Sequence, residues 1–116
     1  MSTHEPIDEL SQETREMHRA LKSLIEELEA MDWYAQRVDA TRDEDLRRVL
    51  AHNLDEEKEH ACMTLEWIRR HDPALDAHLR TFLFRAGPIA EENQHTEEQR
   101  DRALGIGSLR GEDPPA

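Results

Sequence analysis

Between Leu10 and Val38 the apolar residues Leu10, Met17, Leu21, Leu24, Leu28, Met31, Ala35 and Val38 follow one another at steps of three, four and seven. Only an α-helix brings residues so spaced onto one side, and the alternation of threes and fours makes the narrow seam by which helices pair. The spacing predicts a long helix from about Ile7 to Ala40. A second stripe of the same period, Leu46, Leu50, Leu54, Ala61, Thr64 and Ile68, predicts a second helix. Between them, Thr41-Arg42-Asp43-Glu44 has the Thr-x-x-Glu form of a capping box, in which the hydroxyl and the carboxylate satisfy free amides at a helix start. Arg69, Arg70 and His71 suit the negative end of the second helix, and Asp72-Pro73 reads as the N-cap and first position of a third, shorter one stopped by Gly87 and Pro88. With no convincing strand or internal repeat, the expected fold is all-α: an antiparallel two-helix hairpin plus a short third helix.

One residue does not belong in this pattern. Glu57 occupies the centre of the second stripe, where a bare carboxylate costs several kcal/mol or loses its charge. His60 follows one turn later, and Glu-x-x-His is the spacing by which a bundle helix offers a carboxylate and an imidazole to one metal ion. At about 100° per residue, Glu27 falls on the flank of the first stripe with Tyr34 two turns along on the same side. Antiparallel packing therefore brings Glu27 into the neighbourhood of Glu57 and His60. A dinuclear carboxylate centre in a four-helix bundle needs two such sets, and this chain holds one. The expectation is a half-bundle whose four-helix site is completed by a second copy across a two-fold axis.

Composition supports that expectation. A chain of 116 residues, 36% apolar and 36% charged, is one domain with little material for a self-sufficient core. Trp33 lies almost opposite the apolar stripe, with Glu26, Ala30 and Arg37, and reads as a buried subunit contact. A net charge of −12 argues against nucleic acid and anionic membrane surfaces as partners and favours cations. The single cysteine, Cys62, excludes an intrachain disulfide, and no stretch reads as a signal peptide or membrane span, so a cytoplasmic setting is expected. Cys62 is given no role. Glu26 and Glu29 on the outer face of the first helix, and His52, Glu56 and Glu59 on the second, read either as solvated surface or as sites that attract metal ions on their way in.

The segments EELEAMDWYAQRVDA (26–40), AHNLDEEKEHACMTLEWIRR (51–70), HLRTFLF (78–84) and LGIGSLRG (104–111) closely resemble the encapsulated ferritins, relatives of ferritin packed inside encapsulin nanocompartments. The resemblance implies a half-ferritin that assembles into a ring-shaped homodecamer. It implies di-iron ferroxidase sites between subunits, two Fe per subunit pair, with Glu27, Glu57 and His60 of both partners as ligands and Trp33 and Tyr34 close by. It places the residues by which metal enters on Glu26 and Glu29, and secondary metal positions on His52, Glu56 and Glu59. The ferritin-like domain is then residues 1–88, followed by a polar linker, 89–103, and a tail, 104–116, similar to peptides that dock on the inner wall of the shell.

The residue chemistry agrees with the resemblance without singling out iron. Carboxylate-rich ligation with one imidazole per metal suits Fe(II) and Mn(II) and admits Zn(II). In the tail, Leu104, Ile106 and Leu109 are set among glycines, which suits a docking peptide running from Leu104 to Arg110. The expected activity is oxidation of Fe(II) to Fe(III), delivering iron for mineral storage inside the shell. Two alternatives remain. A hemerythrin-like oxygen carrier is echoed by His52-x-x-x-Glu56 but needs more core-facing histidines. A non-catalytic cargo adaptor leaves Glu57 buried without a reason.

Overall fold

A computed structural model describes residues 3–90. All regular structure among them is helical: a 3₁₀ turn (Ile7–Glu9), α1 (Gln12–Ala40), α2 (Glu44–Arg70) and α3 (Pro73–Phe82). The all-α hairpin with a short third helix is therefore what the chain forms. The segment from Glu91 onward, with most of the linker and the whole of the proposed docking tail, lies outside the described residues.

Three boundaries differ from the sequence reading, each for a local reason. The first helix does not run from Ile7. Ile7–Glu9 form a separate 3₁₀ turn, and Ser11 caps α1 by accepting the Thr14 N–H at 3.1 Å. The capping box is not the one expected. Thr41 closes α1, donating its N–H to the Arg37 carbonyl, whereas the cap of α2 is Asp43, whose carboxylate accepts the Leu46 N–H at 3.0 Å. Asp and Thr are both good caps, and the shorter connection favours the residue nearer the helix. Finally, α3 stops at Phe82 rather than at Gly87-Pro88, because Phe84 turns into the left-handed region at φ 61°. Its start is as read: the Asp72 carboxylate accepts the Leu75 N–H at 3.0 Å.

Arginines fasten the ends of the hairpin. At the turn, Arg47 donates to the carbonyls of Val38, at 3.1 Å, and Thr41, and pairs with Glu44. At the other end, Arg69 joins Glu66 of its own helix to Asp76 of α3, and Asp76 also pairs with Arg80. The Arg69 and Arg70 guanidiniums hold the Glu66 carboxyl well down, from an ordinary 4.5 to about 2, and Arg69 with Arg80 lowers Asp76. A carboxylate whose folded pKa is depressed stabilises above its unfolded value and loses that contribution as pH falls through the folded value. Amide protection across Pro73–Phe82 should therefore hold from pH 7 to about 5 and decline between pH 4.5 and 2. Hydrogen exchange at several pH values checks this, and Arg69→Met should weaken the pH dependence, leaving the part that Arg70 and Arg80 sustain.

What the hairpin lacks is an interior. Among the described residues only Ala61 (7% exposed) and Ile68 (1%) are buried, while Leu21, Ile25, Leu28, Leu46, Val49, Met63 and Trp67 are exposed. Unburied apolar side chains on this scale leave the hydrophobic term far short of offsetting the entropy of ordering two long helices. The contacts divide the chain into one unit ending at Arg80 and another beginning at Thr81. The first holds the candidate site. The second exposes Leu83, Phe84 and Ile89.

Candidate metal centre

The register of the hairpin brings the expected ligands to one level. Arg47 reaches Val38 at the turn, and further down Ala20 and Ser23 line a shared surface groove with Met63, Thr64 and Trp67. Antiparallel helices with those two fixed points put Glu27 opposite the turn of α2 that carries Glu57 and His60. By that register Glu27 and the Glu57–His60 turn lie at a similar height along the two helices.

The polar atoms at that level are incompletely satisfied. Glu27 is half-buried, and its Oε1 is shielded from solvent with no hydrogen-bond donor. The Glu57 side chain is 24% exposed and that of His60 46%, with Glu57 Oε1 and His60 Nδ1 3.6 Å apart. That separation is too long for a hydrogen bond. Glu57 therefore sits at the lip of the seam rather than deep within it, and the oxygen most in need of a partner belongs to Glu27. A shielded carboxylate oxygen without a donor costs on the order of 1–3 kcal/mol unless a proton or a cation meets it. Two carboxylates and an imidazole suit divalent first-row cations, so these residue types fit a metal of that class.

Within one chain the set is incomplete. Among the described residues no three His, Cys, Asp or Glu side chains come together as a metal cage. The half-site opens onto an apolar rim: Val49, Met63 and Trp67 are exposed, and helical spacing puts them on the same shoulder of α2 as His60. Charged ligands framed by uncovered apolar side chains are the surface a second hairpin would cover.

The other expected residues are placed around this centre. Tyr34 is half-buried on the Glu27 side of α1, with the Arg37 guanidinium 5.3 Å from its ring centre. Trp33 is 50% exposed on the outer surface. Glu26 and Glu29 are exposed, Glu26 pairing with Lys22 at 3.9 Å. On the outer face of α2, His52 lies 3.2 Å from Glu56, and Glu59 lines a shallow groove with Cys62. Glu26 and Glu29, and Glu56 and Glu59, stand close to the Glu27–Glu57–His60 level along the helix axes but on other faces of their helices. The sequence reading missed the pairing of Arg37 with Tyr34, for which their three-residue helical spacing was the available signal.

Comparison with known proteins shows what the chain as a whole is similar to. The EncFtn-like family matches residues 2–86. An encapsulated ferritin-like protein of Rhodospirillum rubrum is 52% identical over 125 aligned residues, covering 96% of this chain and 89% of its own. A ferritin-like protein of Thermotoga maritima is 50% identical, covering 91% and 96%. An encapsulin nanocompartment cargo protein, EncC, of Myxococcus xanthus is 44% identical over 66 residues, 56% of this chain and 51% of its own. Among solved structures, protein ne0167 of Nitrosomonas europaea is 60% identical and superposes with a TM-score of 0.76 over 78% of this chain and 100% of its own.

Proposed function

The chain belongs to the EncFtn-like family of encapsulated ferritin-like proteins, and from that premise we propose that it is a ferroxidase whose di-iron site forms between two copies. The observation that carries the reading is the shielded, donorless Oε1 of Glu27, level with the Glu57–His60 pair at the edge of a hairpin that cannot bury itself. Two such edges related by a two-fold axis supply four carboxylates and two imidazoles, a complement suited to two Fe(II) substrate ions.

The division of labour follows from the donors. Carboxylates bind the more highly charged Fe(III) more strongly than Fe(II), so anionic ligation favours loss of an electron to an oxidant such as dioxygen. Glu57 and His60 anchor each ion from α2 while Glu27 closes the site from α1. Tyr34 stands beside the centre as a hydrogen-bond donor or electron source. Glu26 and Glu29, exposed on the face of α1 that also carries Trp33, guide ions inward, and His52, Glu56 and Glu59 stage them.

Assembly beyond the pair has its own support. Leu21, Ile25 and Leu28 lie roughly 100–160° round α1 from Glu27, on the shoulder away from the site, and are exposed. Two distinct uncovered shoulders allow two kinds of subunit contact, as a ring-shaped decamer requires. An open ring encloses no mineral, so storage falls to the encapsulin shell, to which the 104–110 segment recruits the protein. The similarity to a protein named as an encapsulin nanocompartment cargo supports this partner. No helix among the described residues is long and apolar enough to cross a membrane.

Anaerobic Fe(II) titration followed by admission of air tests the activity. The expected result is saturation at one Fe(II) per chain and a rise in ferric-oxo absorbance with repeated turnover. Reversible colour on oxygen addition and removal would indicate an oxygen carrier, and no response would leave a cargo adaptor.

A further inference from the structure

Tyr34 is the only tyrosine in the chain, and it stands half-buried on the same side of α1 as Glu27. An electron-rich phenol beside an oxidising centre is a competing electron source. Over its ring stands the charge of Arg37, one turn further along α1, with the guanidinium carbon 5.3 Å from the ring centre. No carboxylate pairs with Arg37 among the described residues, so its charge is not neutralised by an ion pair.

We propose that Arg37 is a positioning residue that steadies the Tyr34 ring and opposes its one-electron oxidation, so that the electrons reaching the oxidant are drawn from Fe(II). The attraction between a cation and a π face depends on the electron density of the ring. Oxidation of tyrosine sends one electron to the oxidant and the phenolic proton to solvent, leaving a phenoxyl radical whose ring is electron-poor. The cation therefore stabilises the intact phenol more than the radical. Arginine suits the task because its delocalised guanidinium stays charged and lies flat against an aromatic face. Tyr34 is then kept as a hydrogen-bonding group, and the chain is protected from self-oxidation during turnover.

The significance of the device rests on the ferroxidase reading, but its test does not. Full-length, metal-free protein is exposed to photogenerated tris(bipyridine)ruthenium(III), which takes the electron and returns to ruthenium(II), with persulfate as sacrificial acceptor. The tyrosyl radical is counted by its electron paramagnetic resonance signal, which belongs to Tyr34 alone among the tyrosines because there is no other. Arg37→Met keeps a long, helix-compatible side chain over the ring and removes the charge, while Arg37→Lys keeps the charge. Arg37→Met should raise the radical yield roughly two- to fivefold, and Arg37→Lys should return it toward the native level. A yield in Arg37→Met equal to the native one, or an Arg37→Lys yield as high as that of Arg37→Met, would overturn the proposal, since shielding rather than charge would then be responsible. Circular dichroism confirms that both variants fold. Loss of ferroxidase activity elsewhere in the protein leaves this result unchanged.

Discussion

Alanine at Glu57 or at His60 is expected to lower Fe(II) oxidation by more than about 100-fold, beyond the 10–100-fold range typical of removing a residue that only supports a metal ligand. Each substitution removes one donor from each half of a symmetric site, so two of the six ligands disappear at once. Stability should not fall in parallel. In the proposed two-fold assembly Glu57 and Glu27 of both copies would converge as four like charges when no cation lies between them. Removing a pair of them relieves repulsion. The metal-free melting temperature of Glu57→Ala should therefore match or exceed that of the native protein, while the rise in melting temperature on adding metal should vanish. Thermal melts with and without Mn(II) separate the two effects. A metal-free loss of stability as large as the loss of activity would assign Glu57 a structural role instead.

Truncation after Arg102 should have an equally large effect on a different property. The segment from Leu104 to Arg110 combines three apolar side chains, able to fill shallow pockets, with Gly105 and Gly107, which permit close backbone approach. The alignment to the Rhodospirillum rubrum relative leaves only about 4% of the chain outside it, so the similarity runs into this tail. Each tail alone would pay an ordering cost and bind weakly, but several tails on the proposed ring, facing many identical shell sites, would gain by multivalency, commonly by factors of roughly 10²–10⁴. The truncated protein should keep full ferroxidase activity and lose co-purification with a co-expressed encapsulin shell. Shells that still captured it would place the targeting signal in the helical domain.

Much of this was legible in the sequence because helices report themselves by period. The stripes through Leu24 and Leu54 gave both long helices, and the breach of the second stripe by Glu57 pointed to the site. The Glu57–His60 separation follows from helical spacing alone. Helix ends were less legible. Thr41 and Asp43 both satisfy the chemistry of an N-cap, and only the tight connection decides that Thr41 closes α1 while Asp43 opens α2. The left-handed turn at Phe84 gives no sequence signal, since phenylalanine is not a residue that favours it. Long-range arginine contacts were also hidden. Arg69 looked like a cation for the end of α2, and its bond to Asp76 depends on where α3 folds back. Glu27 reads as a residue on the flank of its stripe, and nothing in its spacing shows that it, rather than Glu57, carries the shielded oxygen without a donor.

The claim on which the rest depends is that the oxidising site needs two chains. It is tested most directly by measuring the initial rate of Fe(II) oxidation per chain across a protein dilution series, with the oligomeric state at each concentration read by analytical ultracentrifugation. The rate per chain should fall in step with the fraction of chains in pairs or larger assemblies and approach the uncatalysed rate in the monomer. A rate per chain that stayed constant while the assemblies dissociated would show that a single hairpin holds a complete site, and would contradict the account.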